Sequence, residues 1–312
     1  MKPLTSTRNT TLKAQMTPRT NAIAANWDPM RRRYWDHVVI AVTLVVTGGA
    51  LMAILVLGMT TTTTNSVTVT STKSSGPPPF PIGIVDTRAP SKMAPPGVNA
   101  LSGYVRDYVS NFDGNTLPSG WYTFSGIPGG DPSGRLENSH VVVSDGLLRL
   151  NTWKDPAYGG NWVSGGLCQC GLPRTYGAFF VRSRVTGPGP SAISLLWPAN
   201  NTWPPEIDFN ENGGNARGTS ATVHFGVTNQ IDQSTISIDM TKWHTWGVIW
   251  SQDKITFTVD GQVWARVTTP LEIPNIPMRL DMEQRTACGT GLDCPTEPQS
   301  MLIDWVAEYS KA

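Results

Sequence analysis

The chain has few charged residues, and their charges nearly cancel. Asp, Glu, Lys and Arg make up 15% of its 312 residues, and the formal net charge is +1. Domains that bind nucleic acid through its phosphates carry clustered positive charge, so we expect no nucleic-acid partner. From about residue 111 onward the chain also lacks the apolar periodicity of amphipathic helices, which argues against a helical fold.

Cysteine is scarce too. The chain has four cysteines, Cys168, Cys170, Cys288 and Cys294. They include no C-x-x-C pair and have no histidine nearby, so a zinc site is disfavoured. Two disulfides in an exported domain are the favoured interpretation. On one strand Cys168 and Cys170 would point the same way and make poor partners for each other. A Cys288–Cys294 pair would close a short loop, but four cysteines allow three pairings.

One long stretch lacks charge altogether. Residues 38–59 contain no charged side chain and follow three arginines at 31–33. As a helix this run is long enough to span about 30 Å of hydrocarbon. We predict a disordered cytoplasmic tail over residues 1–36 and a signal-anchor helix over 37–59, which places the rest of the chain outside the cytoplasm. A cleaved signal peptide, the alternative, would have a shorter apolar core and an A-x-A site.

The start of translation is a separate question. Met30 directly precedes the three arginines, so residues 30–33 form a compact basic segment before the apolar run. We hypothesise that translation begins at Met30 rather than Met1. Intact-mass analysis that finds residues 2–29 in the native protein would rule this out.

The remaining chain divides into a linker and a β-rich domain. Residues 60–108 are rich in Thr, Ser and Pro, which predicts a disordered linker. Over residues 109–312 short β-forming runs alternate with turn signals, such as Ser144-Asp145-Gly146 and Asp260-Gly261. About twelve to fourteen strands at this spacing predict an all-β fold of two packed antiparallel sheets.

Three acids in six residues form the strongest functional signal. Alternation along a strand puts Glu206 and Asp208 on one face and apolar Ile207 and Phe209 on the other. By the same alternation Glu211 would point to the apolar face, unless a β-bulge returns it to the acidic face. The two Glu carboxylates could then approach to about 5–6 Å, the spacing of retaining glycosidases, and their repulsion would raise one pKa. A solvated polar strand face is the alternative, which crowded like charges disfavour.

The same six residues match the E-x-D-x-x-E signature of glycoside hydrolase family 16. Further segments resemble the family's strands in the same order, and together the match covers about residues 111–309. These segments are 111–114, 164–167, 176–184, 195–198, 222–224, 243–250, 260–261 and 303–306. One departure is Pro205, where the family usually has Gly directly before the first Glu. Pro is permitted at the first residue of a strand. The chain thus resembles a membrane-anchored, bacterial-type member.

This resemblance implies a β-sandwich of the jelly-roll type with a concave cleft. It further implies a retaining, endo-acting hydrolase of a β-linked polysaccharide, most readily a β-1,3- or β-1,3/1,4-glucan. Glu206 would be the nucleophile, Glu211 the general acid and base, and Asp208 a hydrogen-bond partner of Glu206. No cofactor or catalytic metal is required, although Asp304 matches a ligand of the structural calcium that many relatives carry.

Other residues are candidates for binding sugar. Trp162, Trp197 and Trp203 could stack on pyranose rings, with core packing as the alternative for Trp197. His224 and Gln284 correspond to positions from which the cleft could be reached, with a purely structural hydrogen bond as the alternative for His224.

Two other functions use the same fold. A non-catalytic, lectin-like sugar-binding domain would not need a matched carboxylate pair, and a cell-wall transglycosylase would use the same acids but transfer to a sugar instead of water. We expect a monomer whose partners are a polysaccharide and, through the single helix, the cell membrane.

Overall fold

The computed structural model describes residues 63–67, 78–129, 131–290 and 294–312. The predicted cytoplasmic tail and signal-anchor helix lie outside these ranges. Within them, no helix has both the length and the apolar character needed to cross a bilayer. The described chain is built from two packed β-sheets, as the alternation of short β-forming runs predicts.

The strands are short, and the helices are single 3₁₀ turns. The strands are β1 (Thr63–Val67), β2 (Ile84–Val85), β3 (Met93–Ala94), β4 (Tyr104–Ser110), β5 (Trp121–Thr123), β6 (Val141–Ser144), β7 (Leu147–Asp155), β8 (Asn161–Val163), β9 (Gly166–Gln169), β10 (Gly177–Val185), β11 (Ser191–Pro198), β12 (Glu206–Glu211), β13 (Gly218–Phe225), β14 (Gln230–Ser237), β15 (His244–Trp250), β16 (Ile255–Val259), β17 (Gln262–Val267), β18 (Met278–Arg285) and β19 (Gln299–Lys311). The 3₁₀ turns are Asn138–His140, Pro156–Tyr158, Pro270–Glu272 and Cys288–Thr290.

The first sheet has the strand order β1-β14-β13-β12-β11-β18-β9-β5, and the second has β17-β16-β15-β10-β19-β7-β6. In the second sheet β4 also pairs with β19 and β8 with β7, while β2 and β3 form a separate hairpin. All pairs are antiparallel except β1 with β14. From β4 to β19 there are more strands than the predicted twelve to fourteen, because three-residue strands such as β5 and β8 are too short to show alternation.

The main core lies between the sheets and includes one side of β12. Ile207 and Phe209 are fully buried there, with Trp246 and Val248 of β15 in the same apolar cluster. Because side chains alternate along a strand, burial of these two residues turns the neighbouring acids to the opposite face of the first sheet. The core thereby fixes where the acidic side chains lie.

The predicted linker is wrong for residues 78–108, which fold against the outer side of the second sheet. Trp305 Nε1 donates to the carbonyl oxygen of Met93 at 3.0 Å, and Tyr309 Oη donates to that of Gly97 at 2.9 Å. Leu101 joins Trp305 and Tyr309 in a second apolar cluster, and β4 already begins at Tyr104. The outward side chains of β19 are aromatic and need a cover, which an average over the segment's composition does not reveal.

Two disulfides are present, and one of them corrects an expectation. Cys288 bonds Cys294, as the short spacing suggested. Cys168 bonds Cys170, although a continuous strand would make them poor partners. The reason is that β9 ends at Gln169, so Cys170 already lies in a turn and its sulfur approaches that of Cys168.

Candidate active site

A bulge in β12 places three acids on one face. Opposite β11 the pairing passes from Leu195 with Asp208 to Ser194 with Asn210 and skips a residue, and opposite β13 the register also shifts between Asp208 and Glu211. The extra residue restores the alternation for Glu211, as the sequence pattern required. Glu206, Asp208 and Glu211 therefore share the face of the first sheet that points away from the core.

The acids border an apolar ridge formed by β11. Ile193, Leu195 and Trp197 are buried on this face and pack with Trp203. The register pairs Ile193 with Glu211 on one side and with Glu283 of β18 on the other. In the next row Leu195 lies between Asp208 and Asp281 in the same way. Sequence reasoning missed the acids of β18, because their position depends on pairing between distant segments.

Glu206 is held by a tryptophan from the preceding loop. Its carboxylate oxygen Oε2 accepts the indole N–H of Trp203 at 2.5 Å. Glu206 itself is buried at the start of β12. A carboxylate that accepts a hydrogen bond from a side chain is fixed in direction. The arrangement suits a group that must attack from a defined position.

Asp208, which is buried, and His224, which is half-buried, form an ion pair beside Glu206. Nε2 of His224 lies 3.4 Å from Oδ2 of Asp208, and its Nδ1 lies 2.7 Å from Oδ1 of Asn229. Burial alone would lower the pKa of His224, but the hydrogen bond and charge of Asp208, together with Glu206, raise it to about 9. Burial, followed by the charge of Glu206, raises the pKa of Asp208. His224 therefore retains its proton at neutral pH.

This linkage predicts a pH-dependent contribution of His224 to stability. Because the pKa of His224 is raised to about 9 in the folded chain, its contribution is complete below its unfolded value of about 6.5 and is lost as pH rises through about 9. We expect the stability advantage of the wild type over His224→Gln to shrink by up to about 3 kcal/mol between pH 6 and pH 10. Denaturant unfolding at both pH values measures this, and an advantage that stays constant with pH would contradict it.

Glu211 is also perturbed toward its protonated form. Burial raises its pKa, the guanidinium of Arg285 opposes this, and the charge of Glu206 raises it further. Arg285 is itself occupied, because its Nη2 lies 2.5 Å from Oε1 of Glu283. A carboxyl whose pKa is raised, on the same face as a second carboxylate that is fixed in direction, suits general acid catalysis combined with nucleophilic attack.

The predicted sugar-binding residues lie on several elements. Trp203 and His224 lie at the acids, with ring centroids 5.7 Å apart, and Trp197 is buried in the ridge beside them. Trp162 lies on β8, which pairs with β7, and the ammonium of Lys154 is 5.5 Å from its ring centroid. Sugar binding by Trp162 stays a prediction.

Gln284 does not reach this face, contrary to the sequence prediction. It is buried between the sheets, with its side-chain amide 2.9 Å from the hydroxyl of Thr152 on β7. Alternation along β18 explains the error, since Glu283 and Arg285 take the site face and Gln284 takes the core face. Resemblance to the family does not determine which of two neighbouring residues of β18 faces the site.

Asp304, the calcium ligand that the resemblance implies, interacts with the charges of both an arginine, Arg182, and an acid, Asp113. Its Oδ2 accepts the backbone N–H of Ser91 at 3.0 Å. Arg182 in turn donates to the hydroxyls of Ser91 and Thr245 at 2.8 and 3.0 Å. Calcium requires six to eight oxygen ligands, and the structural calcium stays a prediction.

Within the described ranges, Glu206, Asp208 and His224 have ligand atoms within 4.8 Å of one another, a spacing that a metal ion could use. A histidine must be neutral to bind a metal, and the pKa of His224 is raised to about 9. A metal ion at this place would have to displace the proton from His224.

Comparison with known proteins relates this site to one enzyme family. The family model for "Glycosyl hydrolases family 16" matches residues 134–307, which is more than half of the chain and includes the three acids. Two curated relatives from Rhizobium meliloti (strain 1021), the endo-1,3-1,4-beta-glycanases ExsH and EglC, are 32% and 29% identical over 143 residues. In each case this is 44% of the present chain and 31% of the relative, so the chain spans about a third of their length.

Solved structures show the same fold. The laminarinase from Rhodothermus marinus aligns with a TM-score of 0.59 at 22% identity, over 67% of this chain and 98% of the laminarinase. The laminarinase catalytic domain from Thermotoga maritima gives a TM-score of 0.58 at 20% identity, over 68% of this chain and 100% of the other. With the jelly-roll sandwich and the matched family model together, the chain belongs to glycosyl hydrolase family 16.

Proposed function

We propose that the chain is a retaining, endo-acting glycoside hydrolase that cleaves a β-linked glucan by double displacement. The observation that carries this proposal is the bulge in β12, which gathers Glu206, Asp208 and Glu211 on one face. Binding alone requires aromatic and amide side chains, whereas a carboxylate fixed in direction on the same face as a carboxyl of raised pKa is what the nucleophile and acid roles require.

In the first half of the reaction Glu206 attacks the anomeric carbon while Glu211 protonates the departing glycosidic oxygen. The bond from the anomeric carbon to that oxygen breaks, and a glycosyl ester forms on Glu206. The raised pKa of Glu211 suits this step, because the group must start protonated. The hydrogen bond from Trp203 suits the other role, because Glu206 must attack as a carboxylate in a fixed direction.

In the second half Glu211, now ionised, takes a proton from a water molecule that attacks the anomeric carbon. The ester bond breaks, Glu206 leaves as a carboxylate, and the product keeps the β configuration. Asp208, held by His224 at 3.4 Å, adds negative charge next to Glu206 when ionised and removes it when protonated. The pair thus adjusts the charge around the nucleophile between the two steps.

The proposed substrate is a β-1,3- or mixed β-1,3/1,4-glucan. Support comes from the relatives, which are named as endo-1,3-1,4-beta-glycanases and laminarinases. The two disulfides support action in an oxidising compartment outside the cytoplasm. The apolar run over residues 38–59 supports attachment to the membrane that faces that compartment.

The proposal is tested by incubating the 312-residue chain with a panel of glucans and galactans and measuring new reducing ends over time. We expect release from at least one β-glucan and none from Glu206→Gln on the same substrate. Transfer to an added acceptor oligosaccharide without new reducing ends would indicate a transglycosylase instead. Binding of the polysaccharides with no product from any of them would support a lectin and overturn the proposal.

A further inference from the structure

The loop between β11 and β12 is fastened to a neighbouring strand by one buried arginine. Arg279 of β18 donates from Nη1 to the carbonyl oxygens of Pro198 at 3.2 Å and Ala199 at 3.4 Å, and from Nη2 to Oδ1 of Asn201 at 2.9 Å. Its Nε donates to Oδ1 of Asp281 at 3.1 Å, which orients the guanidinium. Arg279 is buried, and none of these contacts reaches the three acids directly.

This loop carries Trp203 to the nucleophile. Two residues beyond Asn201, the indole N–H of Trp203 meets Oε2 of Glu206 at 2.5 Å, while its ring packs on the β11 ridge. The start of the loop is a tight turn, in which the N–H of Asn201 donates to the carbonyl oxygen of Pro198 at 2.9 Å. Arg279 contacts both ends of that turn, so its guanidinium sets the path by which the chain reaches Trp203.

We propose that Arg279 is a positioning residue of the reaction, which holds the turn at residues 198–201 so that the indole N–H of Trp203 is aimed at the carboxylate of Glu206. The inference rests on the proposed function, in which Glu206 is the nucleophile. A planar guanidinium with donors in a rigid fork can hold three acceptors at fixed angles, which a lysine cannot do. Trp203 accordingly serves the nucleophile as a hydrogen-bond donor, a role different from a sugar platform.

The physical consequence concerns the direction of the Glu206 carboxylate. Loss or misdirection of the indole N–H lets this carboxylate turn away from its line of attack, and misplacement of a reacting group slows the chemical step. The expected effect is therefore a lower kcat. Substrate binding should change little, because the donor acts on the protein's own carboxylate.

Substitution of Asn201 tests whether its contact with Arg279 holds the turn. Its backbone φ is 61°, in the left-handed region where glycine is favoured, so Asn201→Gly removes the acceptor for Nη2 of Arg279 without straining the turn. Trp203→Phe keeps a ring and removes the N–H. Thr202→Ala, at an exposed position between them, is the matched control. Arg279→Lys is the third variant, and thermal melting establishes that each protein is folded.

We expect Trp203→Phe to lower kcat about 10-fold and to keep KM within about twofold. Asn201→Gly and Arg279→Lys should lower kcat by less, again at a nearly constant KM, and Thr202→Ala should leave both constants at their wild-type values. An unchanged kcat in both Asn201→Gly and Trp203→Phe, or a loss carried by KM alone, would overturn the inference. If the wild type is active and Glu206→Gln is inert, that result leaves the proposed function standing; an inactive wild type or an active Glu206→Gln would instead remove the proposed function itself.

Discussion

Replacing Glu206 by Gln should lower kcat on the preferred glucan by on the order of 10⁴-fold or more, because an amide cannot form the glycosyl ester. The fold should survive, since Gln has nearly the same shape and its carbonyl oxygen can still accept the indole N–H of Trp203. Steady-state hydrolysis measured beside a thermal melt separates loss of chemistry from loss of structure.

The matched control for this variant is Glu272→Gln, a glutamate in the 3₁₀ turn after β17 whose carboxyl interacts with Asp232 and Thr269. We expect it to hydrolyse the glucan at the wild-type rate. Retention of more than a few per cent of the wild-type kcat in Glu206→Gln, with contaminating activity excluded, would mean that another residue is the nucleophile.

Replacing Glu211 by Ala should produce a loss that depends on the leaving group. With a polysaccharide, whose leaving oxygen needs a proton, we expect kcat to fall about 10²–10⁴-fold. With an aryl glycoside whose leaving group is already acidic, the first step needs little help, and hydrolysis of the glycosyl ester should become limiting. Azide, which attacks without a general base, should then restore turnover and yield a β-glycosyl azide.

The pH profile gives the control for this assignment. In the wild type the raised pKa of Glu211 sets the alkaline limb of activity, since the proton needed for the first step is lost as pH rises through that pKa. The limb should disappear in Glu211→Ala with the aryl glycoside. Equal losses on both substrates, with no response to azide, would show that Glu211 is not the acid and base.

Patterns carried by neighbouring residues could be read from the sequence. Ile207 and Phe209 alternate with Glu206 and Asp208, but Glu211 lies one position too far along to share their acidic face without a bulge. The pairing of β12 with both neighbouring strands contains this bulge. Burial of the apolar side in the core is what turns the acids to the other face. The all-β sandwich followed from the same periodicity together with the turn signals.

Features that depend on contacts between distant segments could not be read in this way. Asp281 and Glu283 join the site only through the register of β18 against β11, and the sequence of β18 alone does not fix that register. The same ambiguity of one position along β18 explains the wrong prediction for Gln284, which lies on the core face and not on the site face. Residues 78–108 have a linker-like composition, yet a few apolar side chains among them suffice to cover Trp305 and its neighbours on the outer face.

Trp203 illustrates a different limit. An aromatic residue three positions before the first acid of β12 suggests a sugar platform, and nothing in its residue type distinguishes that role from donation of a hydrogen bond to the carboxylate. The difference lies in the course of a loop that Arg279 fastens from another strand. The local sequence thus predicts that Trp203 lies near Glu206, whereas contacts with distant segments determine which atom of Trp203 contacts the carboxylate.

The most direct test of the central claim, that Glu206 attacks sugar from the acidic face of β12, is to trap the covalent intermediate. The 312-residue chain would be incubated with an activated 2-deoxy-2-fluoro oligosaccharide of the glucan it degrades, digested, and analysed by mass spectrometry. The account predicts one glycosyl group per chain, attached to Glu206, and none on Glu206→Gln. Attachment to another residue, or release of a product of inverted configuration without any adduct, would contradict it.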